Sequence, residues 1–230
     1  MDTIPIIDTQ ADFVVVHKPP GVGFHQEDDQ PGLFQQVQER LNTTELYPVH
    51  RLDKVTSGIV IFATTATAAV AFGSLFENKQ IEKYYLALAK GKPTKKQGLI
   101  KGDMSKARRG AWKLLRSQQN PAITQFMSYG TQSGTRVFLL KPHTGKTHQI
   151  RVALKSLGTP LLGDSLYGGE TDSIDRAYLH AFGIRFQLFE TSYAYYALPS
   201  VGKQFQMPEI AKIINDQLSP PWNTEFPKIK

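Results

Sequence analysis

The 230-residue chain contains no cysteine. That absence excludes disulfides, thiolate nucleophiles, Cys-ligated zinc and iron–sulfur clusters. Long apolar runs are missing as well. The longest, at 59–63, is far too short to span a bilayer. The opening Met1-Asp2-Thr3-Ile4-Pro5 has neither the basic flank nor the apolar stretch of a targeting segment. A cytoplasmic protein with no membrane partner is therefore expected. Acidic residues are nearly absent from the middle of the chain. Residues 91–160 carry 14 Lys and Arg and one acid, Asp103, a net of +13, whereas 1–90 nets −4 and 161–230 nets −2. The overall +7 thus sits in 70 residues. A solvated basic face is one reading, and a phosphate-binding stripe is the sharper one.

Common nucleotide and hydrolase motifs are incomplete. Gly145-Lys146-Thr147 resembles the end of a phosphate-binding loop, but Leu140 stands where its first glycine belongs. Gly21-Val22-Gly23 lacks a third glycine, since Gln26 is there. Ser57 lacks the first glycine of a nucleophile elbow, because Val55 takes that place. The six histidines form no His-Glu-x-x-His pair. No nucleotide cofactor and no metal site is expected.

The hydrophobic pattern predicts buried strands at 12–18, 58–63 and 83–90, and helices at 31–41 and 65–78. Short strands or hairpins follow, with an exposed basic loop near 104–110. A strand pair at 124–129 and 136–141 is joined by a Gly/Ser turn. A helix at 147–157 is closed by Gly158 with Pro160 beyond. Late strands at 178–186 and 193–198 and a helix at 208–218 complete the series. Helices and strands mix without strict alternation. This favours an α+β fold with a central mixed, largely antiparallel bent sheet flanked by helices. One catalytic domain over 1–218, with two lobes around a central cleft, and a tail at 219–230 are expected.

His50-Arg51-Leu52-Asp53-Lys54-Val55-Thr56-Ser57-Gly58 sets a basic pair, a carboxylate and a polar turn directly before a buried strand. On residue types alone, Asp53 reads as a surface turn cap paired with Lys54 or Arg51. The segment resembles the His-Arg-Leu-Asp-x-x-Thr-Ser-Gly motif of the RluA-type pseudouridine synthases. Further segments resemble that family in its order: 13–21 (Phe-Val-Val-Val-His-Lys-Pro-Pro-Gly), 83–87 (Lys-Tyr-Tyr-Leu-Ala), 144–152 (Thr-Gly-Lys-Thr-His-Gln-Ile-Arg-Val), Gly163-Asp164-Ser165-Leu166-Tyr167-Gly168, and Leu179-His180-Ala181. The resemblance covers about 6–200. It departs at Ala153, where the family often has His, and in starting without the small RNA-binding S4 domain of many relatives.

The resemblance implies an isomerase that converts a specific uridine of ribosomal or transfer RNA to pseudouridine, acting as a monomer without cofactor. It makes Asp53 the catalytic carboxylate, by addition to C6, attack on C1′ or a glycal route. Arg151 becomes its charge partner, and Tyr85 a stacking and proton-transfer residue. The target atoms are hidden in a stacked helix, so the uridine must flip out. Arg51 would fill its space or pair with a phosphate. His50, Lys106, Arg108, Arg109, Lys146, His148 and Ile150 are the other candidate RNA contacts, with turn-holding and core roles the alternatives for His50 and Ile150.

Overall fold

The computed structural model describes residues 4–26, 30–169 and 171–228. In chain order the elements are β1 (Ile6–Thr9), β2 (Phe13–Lys18), α1 (Leu33–Leu41), β3 (Tyr47–Pro48), β4 (Ser57–Ala63), α2 (Ala66–Glu77), β5 (Glu82–Lys90), β6 (Gln97–Gly102), β7 (Met104–Lys106), β8 (Trp112–Leu114), β9 (Ala122–Gly130), β10 (Thr135–Pro142), α3 (Gln149–Ser156), β11 (Leu179–Leu188), β12 (Thr191–Tyr196) and α4 (Pro208–Gln217). The α+β class read from the sequence is what this order shows. The chain forms two compact units. The first takes residues up to Ile81 and 181–199, and the second takes 82–180 and 200 onward.

The first unit is a sheet in the order β1-β2-β4-β11, with β12 on β11 and β3 on β4. β2 and β4 are buried along their whole length, which is why both read as continuous apolar runs rather than alternating ones. They pair antiparallel, Phe13 opposite Ala63 and Lys18 opposite Gly58. The core is aromatic: the Phe13 ring meets Phe72 and Phe186 edge-on, each at 5.6 Å. α2 begins at Thr65, whose side chain accepts the Ala68 N–H. α1 begins after Pro31-Gly32, where Gln35 Oε1 accepts the Gly32 N–H at 2.7 Å.

In the second unit the strand order is β5-β10-β9-β6. β10 is central, with Leu139 opposite Leu86 of β5 and Met127 of β9. The basic segment near 104–110 is more ordered than the loop expected from sequence. β7 and β8 pair antiparallel as a separate ribbon, Lys106 opposite Trp112, and a single 3₁₀ turn closes its tip at Arg108–Gly110. The last residues pack on this unit as well. Phe226 lies 6.2 Å from the Tyr84 ring, and Gln125 Nε2 donates to the Pro227 carbonyl.

Candidate active site

In the first unit, Asp53 is half-buried in the turn that feeds β4. The turn is held from below by Lys18, the last residue of β2. Its side chain is fully buried, and its ammonium donates to the carbonyls of Pro19 (3.0 Å), Lys54 (3.1 Å) and Thr56 (2.7 Å). Three donors meet three acceptors, which is how an ammonium becomes tolerable at that depth. The Gly21 N–H also donates to the Lys54 carbonyl, and the Thr56 N–H to the Asp53 carbonyl. The turn that follows β2 and the turn before β4 are thereby one object.

Gly58 completes it. Its φ of +111° belongs to glycine, and a Cβ there would collide with the Ala181 carbonyl of β11. His50 accepts the Ile61 N–H on Nε2 at 3.0 Å and packs against Phe76. The turn-holding role weighed for it is the one these contacts serve. Arg51 is exposed.

In the second unit, Tyr84 is buried and Tyr85 half-buried on β5, as expected for neighbours on opposite faces. Tyr84 donates to Glu82, which in turn receives the Lys141 ammonium at 2.6 Å. Lys83 leaves β5 on the Tyr85 face, and burial pulls its ammonium below the usual lysine pKa. Its Nζ lies 3.9 Å from where a Cβ on Gly145 would sit. His143 likewise loses basicity, first through burial and then through the Lys141 charge.

The loop before α3 is fastened by Gln149, which uses its whole amide. Its Oε1 accepts from Thr144 Oγ1 (2.7 Å) and the Lys146 N–H (3.0 Å), while Nε2 donates to the Ile123 carbonyl and Thr124 Oγ1. Thr144 Oγ1 also accepts the Ile123 N–H. Two residues on, Arg151 stands buried in the first turn of α3. Its Nε and Nη2 form a fork on the Asp164 carboxylate at 2.7 and 2.8 Å, with the side chains 7% and 1% exposed. Asp164 is a partner that the sequence reading did not single out. It is set by a tight loop in which Gly163 (φ +77°) passes under the Arg176 carbonyl and the Leu166 N–H returns to Oδ1.

The sequence matches the family model described as RNA pseudouridylate synthase over residues 12–156. That span holds the Lys18 turn, Asp53, Tyr85 and Arg151. The chain belongs to the RNA pseudouridylate synthase family. It is 47% identical over 219 residues to an uncharacterized RNA pseudouridine synthase of Haemophilus influenzae, covering 95% of this chain and 98% of that one. A ribosomal large subunit pseudouridine synthase D of Borreliella burgdorferi is 30% identical over 194 residues. There the match covers 81% of this chain but spans only about half the relative, 54%. The solved structure of human RNA Pseudouridylate Synthase Domain Containing 1 superposes with a TM-score of 0.74 at 27% identity, covering 90% of this chain and 86% of that one.

Membership makes the chain an isomerase, an RNA pseudouridine synthase with RNA as its substrate. Against that background the predicted residues divide. Lys106, Arg108 and Arg109 are exposed on the β7–β8 ribbon. Lys146 donates to Asn120 Oδ1 at 2.9 Å. The Asn120 N–H is held by Asp103, the one acid of the basic segment, which fastens the foot of that ribbon. Ile150 is 7% exposed. His148, at φ +56° before α3, meets the Tyr167 hydroxyl through Nδ1 at 2.8 Å. Lys18, Asp164 and Tyr167 were not singled out from sequence. All three lie in blocks that carry the resemblance, and that was the available signal. Among the described residues no group of three or more His, Asp or Glu gathers as a metal site, and no helix is long and apolar enough to cross a membrane.

Proposed function

We propose that the protein isomerises a specific uridine in ribosomal or transfer RNA, with Asp53 as the nucleophile toward a base flipped out of its helix. The N1–C1′ bond breaks, the detached uracil turns, C5 joins C1′, the C5 proton leaves to solvent, and N1 takes up a proton. Nothing is oxidised and no group is lost, so no cofactor is required. The observation that carries the reading is the Asp53 turn. A half-buried carboxylate sits on a backbone loop pinned by the buried Lys18 ammonium and the Gly21 amide, ahead of a strand buried along its whole length. A nucleophile held this way loses little entropy on reaching its target.

Arg151 supplies positive charge, and Tyr85 stacks on the uracil and offers its hydroxyl for proton transfer. The exposed Arg51 fills the vacated stack or holds a phosphate. Lys106, Arg108, Arg109 and Lys146 hold the RNA backbone through counterion release, which makes affinity fall steeply with salt. His148 joins the RNA-contacting set, and His50 and Ile150 are proposed to support it from their turn-holding and core positions. The reading places the enzyme in the cytoplasm, working as a monomer.

The test is tritium release from RNA labelled at uridine C5. Asp53→Asn and Asp53→Ala are each expected to abolish release while RNA binding persists. Wild-type release by either variant sinks the nucleophile. Pseudouridine mapping of total RNA from a deletion strain then identifies the target, and no lost site would sink the substrate class.

A further inference from the structure

The Tyr167 side chain is 2% exposed and touches two things that the proposed reaction uses separately. Its hydroxyl accepts the Trp112 N–H at 2.9 Å, at the first residue of β8. That amide lies opposite Lys106 in the basic ribbon. The same hydroxyl meets His148 Nδ1 at 2.8 Å, just before α3. The other end of the side chain is an aromatic face. The Arg151 guanidinium lies 5.0 Å from the ring centroid and the Lys155 ammonium 5.7 Å from it. The carboxylate that forks Arg151 stands three residues earlier in the same loop, at Asp164. That loop cannot relax easily. Gly169 passes so near the Leu161 carbonyl that a Cβ would collide with it, and the Gly169 N–H donates to the Asp164 carbonyl.

We propose that Tyr167 is a positioning residue that couples RNA capture to Arg151. Its hydroxyl sets the angle of the β7–β8 ribbon, and its ring sets the guanidinium. RNA seated on Lys106, Arg108 and Arg109 therefore reports, through one rigid side chain, to the residue proposed to charge-balance the reaction. The inference rests on the functional reading for what the ribbon binds. Its mechanical half, ribbon to Tyr167 to Arg151, stands on the contacts alone.

Two variants separate the ends of the side chain. Tyr167→Phe keeps the ring and removes the hydroxyl, and Tyr167→Leu removes both. In Tyr167→Phe, amide hydrogen exchange at Trp112 is expected to quicken about tenfold. Affinity for a structured uridine-containing RNA is expected to weaken about fivefold. Arg109→Ala, which weakens RNA binding in the wild type, is expected to lose most of its effect in the Tyr167→Phe background, because the ribbon is no longer held for it. Tyr167→Leu adds a fall in kcat of about tenfold or more as Arg151 loses its support.

Unchanged Trp112 exchange in Tyr167→Phe would overturn the proposal. So would strictly additive effects of Tyr167→Phe and Arg109→Ala, or a kcat in Tyr167→Leu equal to that of Tyr167→Phe. Should Tyr167→Leu fail to fold, Tyr167→Met takes its place in the kcat comparison, and the exchange and binding measurements on Tyr167→Phe decide the ribbon half. They need no turnover, so they also decide if the wild type released no tritium, the result that would instead sink the functional reading.

Discussion

Removing the Asp164 carboxylate should cost this protein a large part of its stability, and the structure says why. The pair with Arg151 is buried on both sides, at 7% and 1% exposure, so water is not there to replace a lost partner. Asp164→Ala deletes two charge-assisted hydrogen bonds and a third from the Leu166 N–H, and it takes from the buried Arg151 guanidinium the carboxylate that forks it. Breaking such a pair from one side costs about 3–5 kcal/mol. Against a total of about 5–15 kcal/mol this is about a fifth or more of what holds the fold.

The chain has two tryptophans, Trp112 and Trp222, and both lie in the second unit with the pair, so their fluorescence in urea follows the relevant unfolding. With a slope of about 3 kcal/mol per molar urea, the midpoint should drop by about 1–1.7 M. Arg151→Met paired with Asp164→Leu should recover most of that loss, because two apolar side chains of similar volume avoid the desolvation penalty of both charges. The double variant should nonetheless be inactive in tritium release, since Arg151 is gone. A loss below about 1 kcal/mol for Asp164→Ala, the range of a solvated surface pair, would refute the reasoning. A double variant as unstable as the single would refute the account in terms of a buried charge deprived of its fork.

Two further outcomes follow from the same contacts. Lys18→Met leaves the carbonyls of Pro19, Lys54 and Thr56 without their shared donor. It should loosen the Asp53 turn and lower kcat by about 10²-fold, with far less effect on RNA affinity, and an equal loss in both would refute a positioning role. Tyr178 is buried, donates to Asp175 and accepts the Gln204 N–H, and burial raises its phenol to about 12 from 10.0. A raised folded-state value means that its contribution is whole below pH 10 and is lost as pH rises through about 12. Urea midpoints measured across that window should therefore fall more in the wild type than in Tyr178→Phe, and parallel curves would contradict this.

The parts of the fold visible in the sequence are those whose pattern is locally decided. β2 and β4 are buried from end to end and appear as unbroken β-branched runs. α1 follows a proline, and α3 is closed by Gly158 in a left-handed conformation. β1 and β3 escaped because nothing local marks them. β1 alternates between half-buried and exposed positions, β3 is two residues long, and both are strands only by pairing with a neighbour. Asp164 escaped for a related reason. An aspartate among glycines reads as a turn residue, and its partner lies 13 positions away, a separation that no helical or strand period signals.

The nine-residue motif shows how far residue identity alone can go. Within it, His50 holds the Ile61 amide, Leu52, Thr56 and Ser57 are buried, and Gly58 gives β4 room to pass Ala181. Val55 is half-buried in the turn. Most of the motif is therefore spent on building a turn and joining it to a strand. Arg51 and Lys54 are exposed, and Asp53 stands between them half-buried, at the point where the turn is pinned from beneath by Lys18. On residue types alone that arrangement reads as a surface ion-pair cluster. What supports the proposed nucleophile is the investment around it: a surface ion pair is worth about 0–1 kcal/mol and needs no buried ammonium or glycine at φ +111° to hold its backbone. Such rigidity gains a surface pair nothing, whereas the nucleophile proposed for this position would depend on it.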